Sequence, residues 1–366
     1  MRIARDLISS IISKKKNQCK LARFKERKIN RILLISWGRL GELTLSTILL
    51  QSLRKRYKNA YISYIVGSEG VGILKNDPNI NKLIPANIQT YNELIKDEPY
   101  DLAIDLYGGR ASLLMAYLSG ARYIIFSPKP HSGAKFTTIG IKPLRFRNKN
   151  VKDHFLNIAR LSGVNIRNAD TIKPCLSITE NEEVFAKRYI RKLGITENDF
   201  IVGLQPGGQY ERWSEFKFAT LGKHLASALN AKILILQGPK QKTMVLKVHY
   251  LIQEQSILLS YLNIREYFAL VSRCKLLITT AGGASHAGPA LGVPTIIILT
   301  AEEYAYWVPR FKRSFYLPIQ SKIKIKLNLR TKNITRSKLE LTISVKRVLD
   351  FINSQRIKEA IERHIN

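Results

Sequence analysis

From residue 31 onward, short β-rich apolar runs alternate with longer amphipathic stretches, and the alternation starts afresh near residue 180. Strands that are apolar throughout need cover on both faces, so the pattern predicts an α/β protein built from βαβ units with parallel sheets. In the first series RILLIS (31–36), AYISYIVG (60–67), NKLIPA, YDLAIDL (100–106) and YIIFS read as strands. LTLSTILLQSLRKRY, GVGILKND and RASLLMAYLSG read as the helices between them. Residues 130–150 break the rhythm with Gly, Pro and basic side chains and read as a loop, followed by a helix over 151–162. TIKPCLSI (171–178) reads as a linker. The second series has a helix at 180–193, a strand FIVGLQ (200–205) and a helix FKFATLGKHLASAL. Strands KILILQG (232–238), LLITT (276–280) and PTIIIL (294–299) follow, with AGGAS as a loop and HAGPALG as a helix. Two such series predict two Rossmann-like halves, 31–175 and 176–330, flanked by a basic helix in 1–30 and by helices in 331–366.

The length of 366 residues and the 45% apolar content suit two ordinary cores and exclude a disordered chain. Charge is more telling: 60 basic residues against 27 acidic ones give +33. Residues 1–30 carry ten basic and two acidic side chains (+8), and 310–366 carry fifteen and four (+11). An excess of this size points to polyanions: nucleic acid, an anionic membrane face or phosphorylated substrates. Nucleic acid is the least supported, because no nucleic-acid-binding module is present and the basic excess sits in flanks. Cys19, Cys175 and Cys274 are scattered and form no CxxC pair, so neither a disulfide framework nor a zinc site is indicated. No apolar run reaches the length of a membrane span, and the opening segment is too weak for a signal peptide, so a cytoplasmic location is expected. Ile3, Leu7, Ile8, Ile11 and Ile12 recur at helical spacing ahead of Lys14–Lys16. That helix suits either an anionic bilayer or packing on its own domain.

Three loops stand at the carboxyl ends of expected strands, where open α/β sheets hold ligands. Trp37-Gly38-Arg39-Leu40-Gly41-Glu42 combines turn glycines with a carboxylate at a helix mouth, although a carboxylate there is ordinarily a favourable dipole contact. It lacks the GxGxxG spacing of a dinucleotide site. Pro206-Gly207-Gly208-Gln209-Tyr210-Glu211-Arg212-Trp213 offers amides and a guanidinium for a phosphate, or is an ordinary β-to-α turn. Thr279–His286 places small residues at a helix start, with His286 as an anion partner or a packed residue.

In this order the blocks resemble the glycosyltransferase family 9 heptosyltransferases, from about residue 31 to 310. RILLISWGRLGELTLSTILLQSLRKRY is similar to the family's opening strand, Gly-Asp turn and helix. NDPNINKLIP is similar to its "np.vd.vi" segment, and YDLAIDLYGGRASLLMAYLSGARYIIF to its "YDlvidlqg…s…l.ga..rigf" stretch. VKDHFLNIARLSGV follows its His-containing helix. GLQPGGQYERWSEFKFATLGKHL resembles "hPGas…KrWp…f..L", and LLITTAGGASHAGPALGVPTIIIL resembles "vvgnDtGpmHlAaAlg.Ptv.lf". The chain departs from these patterns at Glu42 (usually Asp), Glu211 (Lys), Ala281 (Asp) and Gln241, which stands near a usual Glu.

The resemblance implies a GT-B fold, α/β with two Rossmann-like domains facing a cleft, the final helices packing back on the first domain. It implies inverting, metal-independent transfer of heptose or a related sugar from a nucleotide sugar, ADP-heptose by preference, to a lipopolysaccharide core or other cell-surface glycan, with no cofactor. Glu42 would be the catalytic base. Gly207, Gly208, Arg212, Gln241, Gly282, Gly283, Ser285 and His286 would bind the donor. Gly38, Arg39, Gly41, Lys135 and Arg145 would bind a phosphorylated glycolipid acceptor. The expected partner surface is the inner face of the inner membrane. The departures at Glu211 and Ala281 support a second reading, a sugar-binding or scaffolding relative without turnover.

Overall fold

A computed structural model describes residues 21–127, 137–139, 150–167, 172–207, 211–239, 241–300, 314–319, 339–340 and 344–365. The chain divides between Leu176 and Ser177 into two compact units.

The first unit is a six-stranded sheet made of β1 (Arg31–Ser36), β2 (Tyr61–Val66), β3 (Lys82–Pro85), β4 (Leu102–Asp105), β5 (Tyr123–Phe126) and β6 (Thr137–Ile139). Its order is β3-β2-β1-β4-β5-β6, parallel except for β6, which runs antiparallel to β5. Part of the expected 130–150 loop is therefore sheet. Central β1 is buried from Ile32 to Ser36, as its unbroken apolar run requires. The helix Leu40–Arg56 is buried over most of its length, and the linker lies along it: Gln51 Nε2 donates to Lys173 O at 2.9 Å and Cys175 N to Thr47 Oγ1 at 3.0 Å. Residues 1–20, with the expected helix at 3–12, lie outside the described residues. The basic segment after them is anchored on the first unit by buried Phe24 and Ile29, the Phe24 ring meeting Tyr123 edge-on at 4.8 Å.

The second unit repeats the plan. Its strands are β7 (Phe200–Gln205), β8 (Glu211–Arg212), β9 (Ala231–Ile235), β10 (Ser256–Leu258), β11 (Leu276–Thr280), β12 (Thr295–Thr300), β13 (Ser314–Ile319) and β14 (Leu339–Glu340). The main sheet runs β10-β9-β7-β11-β12-β13, and β8 pairs separately with β14. Leaving β8 aside, both sheets have the 3-2-1-4-5-6 order of a Rossmann sheet, so the strand order reverses between β1 and β4 and again between β7 and β11. The fold class is thus α/β of GT-B type, two parallel-sheet domains in series. Helix Gly283–Ala290 packs close on its sheet because Gly288 has no side chain: a Cβ there would meet Thr295 Oγ1 and lie 2.7 Å from Leu277 Cδ2.

The closing helices are Val345–Ile352 and Gln355–Ile365. Val348, Ile352, Ile357 and Ile361 join the core of the second unit, where the first helix packs on Glu215–Leu229. Their apolar stripes face that core.

Candidate functional site

In each unit the strand order reverses at one point, where open α/β sheets hold their ligands in a crevice at the carboxyl ends of the strands, and the three loops singled out from sequence follow strands at these two points.

In the first unit the turn after β1 is shorter than expected. Only Trp37–Arg39 lie outside regular structure, and Leu40, Gly41 and Glu42 already form the first helical turn. Glu42 Oε2 accepts the Arg39 amide at 3.2 Å, half of a capping box, and Gly38 N donates to Ser36 Oγ at 3.0 Å. Glu42 Oε1 accepts no hydrogen bond among the described residues. Gly38 and the carboxylate are close: a Cβ on Gly38 would lie 2.9 Å from Glu42 Cβ and 3.0 Å from Oε2. Gly38, Gly41 and Glu42 are half-buried, and Arg39 is exposed. Lys135 and Arg145 lie outside the described residues.

Across the crevice, the loop after β4 was not singled out from sequence. Its organiser is Asp105, fully buried, whose Oδ1 accepts the Tyr107 and Gly108 amides at 2.9 Å each and whose Oδ2 accepts Ser112 Oγ at 2.8 Å. Burial pushes the Asp105 carboxyl up, and those hydrogen bonds oppose the shift. The available signal was an Asp at a strand end followed by Gly108-Gly109 and a helix.

In the second unit β7 ends at Gln205, and Gly207 turns the chain with φ +89°. Gln241 brackets this turn: its Nε2 donates to Gly207 O at 2.9 Å, while Oε1 accepts Gln205 Nε2 at 2.8 Å and Gly238 N at 2.9 Å. These three bonds hold the two loops together, so Gln241 positions Gly207. Gly208 lies outside the described residues, and the backbone of Arg212 pairs with Glu340 in β14. Trp213, the neighbour of Arg212, is fully buried and packs edge-on to Phe218 at 4.9 Å, pinning the loop's far end to the core.

On β11, Thr279 stands opposite Gln205, bringing the two loops of this crevice side by side. Gly282 caps the helix Gly283–Ala290, and Ser285 Oγ donates back to Gly282 O at 2.6 Å. AGGAS is therefore partly helix, with Gly283 and Ser285 in the first turn, where the Ser285 amide donates to Gly282 O at 3.2 Å. Gln205 Oε1, Thr280 Oγ1 and His286 Nδ1 are buried and have no hydrogen-bond partner among the described residues. An unmet buried polar atom costs about 1–3 kcal/mol, and all three belong to the carboxyl ends of β7 and β11 or to the helix that follows β11.

Burial pushes His286 down to about 4, and it does the same to His154 in the first unit, whose Nε2 meets Ser127 Oγ at 2.7 Å. Both imidazoles are neutral at pH 7, so His286 offers a ligand hydrogen bonding without a charge. The unfolded chain takes up these protons near pH 6.5 and the folded chain only near 4. Stability is therefore full above the unfolded value and falls as pH drops from 6.5 towards 4, by up to about 3 kcal/mol per histidine. Urea midpoints measured across this range should show the loss, and His154→Gln or His286→Gln should each flatten it; parallel curves for all three proteins would refute the assignment.

Among the described residues no three His, Cys, Asp or Glu side chains come together as a metal-binding group. No helix among them is long and apolar enough to cross a membrane.

Comparison with known proteins agrees with this geometry. The sequence model of glycosyltransferase family 9 (heptosyltransferase) matches residues 91–338. The chain is 21% identical over 290 residues to lipopolysaccharide heptosyltransferase 3 of Escherichia coli, covering 74% of this chain and 83% of that protein. Among solved structures, a glycosyltransferase family 9 protein of Veillonella parvula superposes with a TM-score of 0.75 at 19% identity, over 92% of this chain and 99% of the other. The E. coli ADP-heptose lipopolysaccharide heptosyltransferase II does so with a TM-score of 0.67 at 18% identity, over 92% of this chain and all of the other.

Proposed function

The chain belongs to glycosyltransferase family 9, and from that premise we propose that it moves heptose or a related sugar from ADP-heptose to a lipopolysaccharide core, with inversion and without a metal. The observation that carries the donor half is the set of unmet buried polar atoms, Gln205 Oε1, Thr280 Oγ1 and His286 Nδ1, near the start of the helix Gly283–Ala290. A nucleotide diphosphate supplies acceptors for amides at that helix start and further partners for the side chains. Arg212 and the backbone at Gly207–Gly208 complete the cradle in this reading.

The first unit supplies the base. Glu42 takes the proton of the acceptor hydroxyl as that oxygen attacks the anomeric carbon from the face opposite the diphosphate, which departs with the bonding pair. Phosphate charge developing on the leaving group is stabilised by the helix amides and by neutral His286. The test is a thermal-shift screen against ADP-, UDP-, GDP- and CMP-linked sugars. At a hundred times its dissociation constant the true donor adds about 2.7 kcal/mol of stability, and ADP-heptose is the expected hit.

One observation favours the second reading, a sugar-binding or scaffolding relative. Ala281 packs its methyl against Ile297 and Leu299, where the family pattern carries a carboxylate. Donor binding without turnover in the presence of acceptor would identify that relative.

The membrane enters as the place where a glycolipid acceptor resides. Arg27, Lys28, Arg56 and Lys58 line a shallow groove on the first unit with no acid among its lining residues, and Arg23 and Lys25 are exposed nearby. Each such cation adds about 1 kcal/mol near an anionic bilayer. We expect salt-sensitive binding to anionic vesicles and none to neutral ones, weakened by deleting residues 1–20. That truncation leaves Phe24 in its core position. Equal partitioning onto both vesicle types, or none onto either at low salt, would refute it.

A further inference from the structure

We propose that the outer face of the helix pair Glu215–Leu229 and Lys242–Ile252 is an apolar anchor that enters an anionic membrane. The proposal rests on the membrane contact proposed above and extends it from charge on the first unit to an apolar element on the second.

Helix Lys242–Ile252 buries Val245, Val248 and Ile252 in the core of the second unit and turns Lys242, Thr243, Leu246, Lys247 and Tyr250 outwards. Leu246 and Tyr250 stand one turn apart on that outer face, where a helix serving only its core carries polar side chains. Tyr250 is 80% exposed and Leu246 45%. Phe216, the second residue of Glu215–Leu229, adds a ring that is 60% exposed. Lys247 joins the two helices, its Nζ lying 5.1 Å from the centre of the Phe216 ring. Three large apolar groups are thus gathered round one lysine, whereas apolar residues scattered singly over a surface are ordinary.

Charge decides what covers this face. Helix Lys242–Ile252 contains two lysines and no acid. Lys223 is exposed two turns beyond Phe216 on the other helix. The acids nearest in sequence are Glu215, half-buried beside Phe216, and Glu254, four residues beyond Tyr250. The face is therefore cationic and aromatic together, a composition that suits the headgroup layer of an anionic bilayer. A tyrosine fits that layer by pairing an apolar ring with a polar tip. A lysine can rest its stem on a ring while its ammonium reaches a lipid phosphate.

A protein partner fits less well. A standard interface takes about 800 Å² from each side. Three side chains, the aromatic ones about 150–250 Å² each when fully exposed, provide well under that. Insertion among headgroups requires no such area, because the apolar contribution adds to the attraction between lysines and lipid phosphates.

The probe is a vesicle of phosphatidylglycerol and phosphatidylethanolamine, with phosphatidylcholine vesicles as the neutral control, added to the full chain. In sedimentation, Phe216→Ser combined with Tyr250→Ser should lower the partition coefficient onto anionic vesicles by roughly tenfold or more. The melting temperature and the donor-induced thermal shift should be retained, because both side chains are exposed. Tyr250→Trp reports depth and keeps the test open if the double variant melts early. Its added fluorescence should be quenched by brominated acyl chains, against a baseline set by Trp37, Trp213 and Trp307 in the parent. A double variant that partitions like the parent, or added fluorescence that is not quenched, would overturn the anchor and leave the charge-driven contact standing. Equal partitioning of the parent onto neutral and anionic vesicles, lost in the double variant, would overturn the charge-driven contact and keep the anchor. Self-association of the chain that the double variant abolishes would assign the face to a second copy and overturn the anchor. No binding of the parent to either vesicle would overturn both.

Discussion

Replacing Glu42 by Gln should lower turnover by about 10²–10⁴-fold and leave donor affinity unchanged. The substitution separates chemistry from structure unusually well. Glu42 sits at the third position of the helix Leu40–Arg56 and its Oε2 accepts the Arg39 amide. A glutamine carbonyl can accept the same hydrogen bond, so the helix start is kept and only the basic group is lost. If Glu42 is merely a cap, the variant will turn over like the parent. Glu42→Asp, which keeps a carboxylate but shortens its reach, should retain more activity than Glu42→Gln. Steady-state rates with saturating donor, beside melting curves for each protein, decide the matter.

Replacing His286 by Leu should have opposite effects on stability and on binding. In the free protein His286 is buried with Nδ1 unpartnered, so an apolar side chain there should leave the melting temperature unchanged or raise it. A hydrogen bond to a charged phosphate is worth about 1.5–3 kcal/mol, so nucleotide-sugar binding should weaken by roughly 10–150-fold. This pairing of a stable protein with a weakened site is the signature of a group kept for ligand rather than for packing. A variant that melts early and binds the donor normally would make His286 a structural residue.

Much of this was legible in the sequence, for physical reasons that differ from element to element. β1, β7 and β11 are central strands buried on both faces, so they announce themselves as unbroken apolar runs. The helix Ile88–Lys96 was overlooked because its faces are largely polar, although Asn87 with Thr90 forms a capping pair readable in advance. The three-residue edge strand Ser256–Leu258 carries too few side chains to show a period. Its flanking helices, Lys242–Ile252 and Ile264–Ser272, were passed over with it.

At the site, glycines and Glu42 marked the two turns correctly because backbone freedom and helix-start carboxylates are local properties. What sequence did not reveal is how groups are shared between loops. Gln241 resembled a donor ligand by its place in the chain, and its three hydrogen bonds, invisible in sequence, also bracket the Gly207 turn. Gln205 and Thr280 lie within the blocks marked in the sequence without being named there as ligands, and register sets β7 beside β11. Tyr107 and Asp105 are distant from Trp37 in sequence and become its neighbours only through the pairing of β1 with β4.

The most direct measurement is mass spectrometry of a core-truncated lipopolysaccharide incubated with the purified protein and ADP-heptose, with anomeric configuration read by NMR. The account predicts that the acceptor gains one heptose residue of inverted configuration as ADP is released, in the presence of a chelator as in its absence, and that Glu42→Gln abolishes the gain. Bound donor with no mass gain from any acceptor or any nucleotide-linked sugar would contradict it.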